Sequence, residues 1–105
     1  FYIDASIEPG AQFTFPTENR EGAVYVVDGD LKINGQIVEK NSLAIGKGTQ
    51  DLDIEASSPA RVLFLGGSSV GSRFIYWNLV SSSQATLNEA REQWAKGPGH
   101  SERFP

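Results

Sequence analysis

The residues best suited to chemistry in this chain are carboxylates. Asp51 and Asp53 stand two apart, which puts both side chains on one face of a strand. Glu21 is a third carboxylate that could join them, and such oxygens suit a hard divalent cation. Alternation offers a competing reading. Leu52, Ile54 and Ala56 would turn inward while Asp51, Asp53 and Glu55 meet water, since acids are almost never fully buried unpaired. The solvated arrangement is the one expected. A metal inside would require a bulge near Gly48 to reverse the facing.

Other reactive side chains carry less. His100, between Gly99 and Ser101, is expected to be a mobile surface residue near the chain end. Gly46-Lys47-Gly48-Thr49 lacks the full Gly-x-x-x-x-Gly-Lys-Ser/Thr spacing and the following helix of a phosphate loop. Ser81, Ser82 and Ser83 have no His and Asp partners nearby and read as helix entry. Glu89 and Glu92 sit off that helix's apolar stripe and should be solvated. Phe74, Tyr76 and Trp77 could stack on an aromatic ligand, but core or inter-domain packing is the preferred reading.

The whole-chain properties narrow the class. At 105 residues there is room for one domain with a single core. A net charge of −4, with nine Lys and Arg scattered and never in a run, argues against nucleic-acid or anionic-membrane binding. No Cys is present, so there is no disulfide framework and no thiolate metal site, and a cytoplasmic location is expected. Apolar runs such as Val62 to Leu65 are far too short to span a bilayer. The absence of Met leads us to expect a piece of a longer protein.

The elements that would position these residues are mostly short strands. Glu21 to Val38 is the organising stretch, with Tyr25-Val26-Val27 and Leu31-Lys32-Ile33 separated by Asp28-Gly29, and Asn34-Gly35 following. Asn-Gly between alternating runs is a strong hairpin signal, and three consecutive antiparallel strands are expected. Strands are also expected at Tyr2 to Ile7, Gln12 to Phe15, Leu43 to Ile45 and Asp51 to Ala56. Arg61 to Leu65 is expected to be buried on both faces, with Gly66-Gly67-Ser68-Ser69 a loop. Arg73 to Val80 is apolar on both parities, so both its faces should be covered. Beyond it, Ser81 and Gln84 have capping-box spacing. Leu87, Ala90, Arg91 and Trp94 form one helical stripe, and Gly97-Pro98 ends the helix. Many short strands with turns between them indicate an all-β barrel or sandwich.

Two segments resemble a known family. Glu21 to Gly29 with the Gly46-Lys47-Gly48 turn is similar to the paired segments of a cupin barrel. Gly66-Gly67, Arg73-Phe74-Ile75-Tyr76-Trp77-Asn78-Leu79-Val80-Ser81-Ser82-Ser83 and Trp94-Ala95-Lys96-Gly97 resemble the C-terminal domain of pirins, which are bicupins. Arg103-Phe104-Pro105 resembles the start of a closing family segment. The resemblance implies a single cupin domain over residues 1–105, a double-stranded β-helix (jelly-roll) with one C-terminal α-helix. The barrel would cover about residues 1–80, the helix about 82–96 and a truncated tail 97–105.

The resemblance also implies that chemistry lies elsewhere. In pirins one iron-type or other divalent metal is held by three His and one Glu of the N-terminal cupin, and some members oxidise quercetin as 2,3-dioxygenases. A site of that kind suits a redox metal. Laying its pattern on this chain by the shared Tyr25 puts Phe15 and Thr17 at the first two His positions, and Asp51 and Asp53 at the second pair. Phe15 cannot bind a metal. The implied chain is therefore a metal-free, non-catalytic half without its own cofactor, whose partner is the N-terminal cupin of the same protein. An interaction module for another protein is the alternative. A small cupin enzyme using Asp51, Asp53 and Glu21 is a weaker one.

Overall fold

The computed structural model describes residues 1–99 and 102–104; His100, whose surface placement was expected above, lies outside them. Among the described residues ten strands precede one helix: β1 (Tyr2–Ile7), β2 (Gln12–Phe15), β3 (Glu21–Asp28), β4 (Leu31–Ile33), β5 (Gln36–Val38), β6 (Leu43–Ile45), β7 (Leu52–Glu55), β8 (Ala60–Gly67), β9 (Phe74–Tyr76), β10 (Leu79–Ser81) and α1 (Gln84–Ala95). The chain divides into two compact units, Phe1–Ser69 and Val70–Pro105. The first contains two four-stranded antiparallel sheets, ordered β1-β8-β3-β6 and β2-β7-β4-β5. Its core is built from alternate residues of both, chiefly Val24, Val26, Val62 and Phe64 from one sheet and Leu31, Ile33, Leu52 and Ile54 from the other. This is the jelly-roll expected. No described helix is long and apolar enough to cross a membrane.

Local turn chemistry follows the sequence. Asn34 and Gly35 both take positive φ, 47° and 77°, and close the β4–β5 hairpin, the conformation that favours Asn-Gly in a two-residue loop. The expected row of three strands is not formed. β3 is already hydrogen-bonded to β8 on one side and β6 on the other, so β4 has no free edge there and joins the second sheet. Gly29 makes that crossover at φ 76°, where a Cβ would come within 2.5 Å of the Pro59 carbonyl oxygen.

The apolar stretches are less covered than their composition suggests. In β8 only one face is in the core; Val62 and Phe64 are buried, Leu63 and Leu65 half-buried and Arg61 exposed. The strand also continues through Gly66 and Gly67, where a loop was expected. Gly66 faces the Glu21 carbonyl at the position a Cβ would need.

The second unit pairs β9 with β10 across the Trp77-Asn78 loop, and α1 follows. Within this chain the faces of the hairpin are not covered: Phe74, Ile75, Tyr76 and Val80 are exposed and Trp77 is 85% exposed. The reason is local: Trp77 is the first residue of a two-residue turn, at φ 53°, and a turn tip points away from its own sheet. On α1 the stripe holds in part, with Leu87 and Ala90 buried and Arg91 laid over the Tyr76 ring at 4.0 Å. The N-cap is Ser83, whose hydroxyl oxygen accepts from the Thr86 amide. Ser81 instead accepts from the Ser83 amide, so the expected Ser81–Gln84 capping box gives way to a cap two residues later. Gly97, at φ 88°, follows the helix end, as expected of a C-terminal glycine.

Of the four ion pairs described on the first unit's surface, two are the shortest. Arg61 donates Nε and Nη2 to the two Asp4 carboxylate oxygens at 3.0 and 2.6 Å, and Lys40 reaches Asp28 at 2.7 Å. The Arg61 hydrogen bond and charge hold Asp4 below its ordinary 3.8, and Lys40 does the same to Asp28. A carboxylate whose pKa is lower folded than unfolded stabilises the fold above its unfolded value and loses that contribution as pH falls through the folded one. The double variant Asp4→Asn/Asp28→Asn should therefore show a shallower loss of stability than the parent as pH falls below about 4, measured by urea denaturation across pH. Ile54→Ala should lower stability by about 2–5 kcal/mol because it empties a core position. Trp77→Gly should raise the stability of its unit by about 1 kcal/mol by relieving left-handed strain at an exposed turn. Both are read from denaturation midpoints followed by circular dichroism.

Candidate functional site

Thr17 is the one buried polar residue among those described, with 0% of its surface exposed. It lies on the crossover from β2 to β3. Its amide donates to the Asp51 Oδ1 at 2.8 Å, and its hydroxyl sits 2.9 Å from the Thr49 carbonyl oxygen and 3.2 Å from the same Asp51 oxygen. Thr49 and Asp51 belong to the crossover from β6 to β7, so Thr17 fastens the two sheet-to-sheet connections together. The Thr17 carbonyl accepts from the amide and Nε of Arg20, at 3.0 and 2.9 Å. Glu18 and Asn19 between them take φ of 54° and 62°, the pair of left-handed residues that a type I′ turn requires. Gly22 runs past so closely that a Cβ there would lie 2.8 Å from the Thr17 methyl.

Phe15, two residues earlier, stacks on Phe64 with centroids 4.3 Å apart and planes at 12°. Phe1 tilts against it at 5.6 Å, and the Arg20 guanidinium covers the other aromatic neighbour, Phe1, at 4.7 Å. Such offset aromatic contacts are favourable beyond the area they bury. Phe15 is thus a ring in a stack and Thr17 a hydroxyl already engaged.

The three carboxylates are not brought to one point. Asp51 is spent on Thr17. Asp53 faces solvent, accepting from Thr14 Oγ1 at 2.7 Å, while its backbone exchanges hydrogen bonds with Asn34. Glu21 opens β3 with an exposed side chain. Leu52 and Ile54 fill the core between them, so Gly48, though left-handed at φ 59°, does not reverse the facing. Among the described residues no group of three or more His, Asp or Glu converges as a metal site. Glu89 and Glu92 are exposed on α1. Residue types alone did not single out Thr17, which reads as one more polar loop residue; its only sequence sign is a threonine directly after Phe15-Pro16.

Each unit also has an open concavity among its described residues. An open cleft of about 800 Å³ runs between β5 and β6, with Ile33, Val38, Ala44 and Leu52 at its base and Glu39 and Lys47 at its rim. In the second unit a smaller hollow of about 410 Å³ is lined by Tyr76, Trp77, Asn78, Leu79 and Trp94.

The bonds at Asp51 give a clear expectation. Asp51→Ala should cost about 1–3 kcal/mol by leaving the buried Thr17 amide unpaired. Asp51→Asn, which retains the accepting oxygen, should cost far less, and Asp53→Ala should change stability by no more than about 0.5 kcal/mol as a surface substitution. Equal losses for Asp51→Ala and Asp53→Ala in denaturation experiments would contradict the different roles given to them.

Comparison with known proteins fits this geometry. Residues 2–100 match the family described as the pirin C-terminal cupin domain. A pirin-like protein of Caulobacter vibrioides is 33% identical over 97 residues, covering 92% of this chain and 34% of that protein. A Pseudomonas aeruginosa protein, whose name carries quercetin 2,3-dioxygenase as a provisional assignment, is 34% identical over 73 residues, 68% of this chain and 23% of the relative. The crystal structure of quercetin 2,3-dioxygenase from Acinetobacter baumannii superposes with a TM-score of 0.74 at 21% identity, over 91% of this chain and 35% of that one, which speaks to the fold. The chain spans about a third or less of the length of these proteins. It belongs to the pirin family, as a C-terminal cupin domain.

Proposed function

We propose that this chain is the metal-free, non-catalytic half of a pirin-like protein, and that it supports an N-terminal cupin carrying the metal and any quercetin 2,3-dioxygenase-type activity. The observation behind this reading is the filling of the ligand positions. Phe15 has no donor atom and lies in a ring stack. Thr17 is buried with amide and hydroxyl both engaged, and Asp51 is the acceptor that engages them. A redox metal wants several open-faced imidazole or carboxylate donors around one point, and these residues do not fit one. Iron or another divalent metal would belong to the other cupin, and no step of the reaction is assigned to residues of this chain.

The partner in this reading is the N-terminal cupin of the same protein. Support comes from the β9–β10 hairpin, whose Ile75, Trp77 and Val80 are left exposed although a large aromatic at a protein surface more often marks a contact. An interaction role toward a further protein draws on that same surface. The two units differ in charge: five Lys and Arg stand against ten Asp and Glu in residues 1–69, and four against three in 70–105. That balance gives no basic patch of the kind nucleic acid or an anionic membrane needs, and with the lack of Cys it favours the cytoplasm.

The decisive experiment is elemental analysis of the purified chain after incubation with iron(II), manganese, nickel or zinc and desalting. Retention well below one equivalent of every metal is expected. About one equivalent, lost in Asp51→Asn/Asp53→Asn, would turn the chain into a metalloprotein and overturn the reading.

A further inference from the structure

The strand β6 is an edge with its partner side open. The Ser42 carbonyl accepts from the Val26 amide, the Gly46 amide donates to the Gly22 carbonyl, and Val24 lies opposite Ala44. In an antiparallel ladder bonding alternates along the strand, so residues 42, 44 and 46 face β3 while the backbone N–H and C=O of Leu43 and Ile45 point away from it. Neither residue has another bonding partner among those described. The side chains of the same two residues stand on the outer face of the sheet, 49% and 73% exposed, and Ala44 turns inward against the core. Natural edges are usually blunted by a charge, a proline or a bulge. Leu43-Ala44-Ile45 has none of these, whereas the opposite edge of the sheet carries Asp4 paired with Arg61.

We propose that β6 pairs with β6 of a second copy about a two-fold axis at Ala44, extending the sheet to eight strands. The tripeptide is self-complementary in that register. Leu43 falls opposite Ile45 of the second copy and Ile45 opposite its Leu43, so each pair exchanges two backbone hydrogen bonds and the small Ala44 residues meet at the closer, non-bonded position. The charges agree with it: Lys47 falls opposite Asn41 of the second copy and Lys40 opposite Gly48, so no like charges oppose. The outer face supplies continuity. Tyr2, Leu65, Ala23 and Ile45 share one row across the sheet, and Leu63, Tyr25 and Leu43 share the next. Pairing joins the first row of each copy to the second row of the other, where directly opposed aliphatic side chains are stabilising.

Sedimentation equilibrium over a wide concentration range tests this. The mass should rise from 11.4 kDa toward twice that value with concentration. Ile45→Lys, and independently Leu43→Lys, should hold it at the monomer value while circular dichroism stays that of the parent. Ile37→Lys, on the exposed edge strand of the other sheet, should associate as the parent does. A parent that stays monomeric throughout overturns the proposal, as does association unchanged in folded Ile45→Lys or Leu43→Lys, or lost equally in Ile37→Lys.

Discussion

A single carboxylate oxygen organises one end of this barrel. Asp51 Oδ1 receives the Thr17 amide and lies within reach of the Thr17 hydroxyl, and through it the β2–β3 and β6–β7 crossovers are held as one. A buried amide without an acceptor is costly because it has given up water, so the carboxylate is needed wherever Thr17 is buried. The surroundings conform to that bond. Gly22 has no side chain because the Thr17 methyl takes the space, Arg20 folds back on the Thr17 carbonyl, and Phe15, the last residue of β2, stacks on Phe64.

This arrangement separates fold from chemistry. A jelly-roll is shared by many proteins with different activities, and what a member does is set by side chains placed on it. Here Phe15, Thr17 and Asp51 are used to close the barrel. The polar groups present satisfy one another, and the rings present fill space.

Much of the architecture was legible in the sequence. Alternation in 51–56 correctly sent Leu52 and Ile54 inward, and Asn34-Gly35 specified its own turn through the tolerance of both residues for positive φ. Those are local effects. The pairing of β3 with β8 and β6 rather than β4 is not local: it depends on strands beyond residue 38 occupying both edges of β3, which no period within 21–38 encodes. Arg73 to Val80 is a related case. Apolar composition reports a tendency to be covered and does not say by what, and the turn at Trp77-Asn78 breaks the run into a hairpin that leaves Trp77 outside. Thr17 was the hardest residue to foresee, because its role comes from Thr49 and Asp51, more than thirty residues further along, and from no spacing around itself.

The most direct test of this picture is native-state hydrogen exchange at the Thr17 amide, followed by NMR. Exchange as slow as that of the core amides of Val24 and Val62, and markedly faster in Asp51→Ala, is the expected result, since the amide should open only when the barrel end does. Exchange at the rate of an exposed loop would mean that the bond to Asp51 does not hold the two crossovers, and that the position beside Phe15 is open to other chemistry after all.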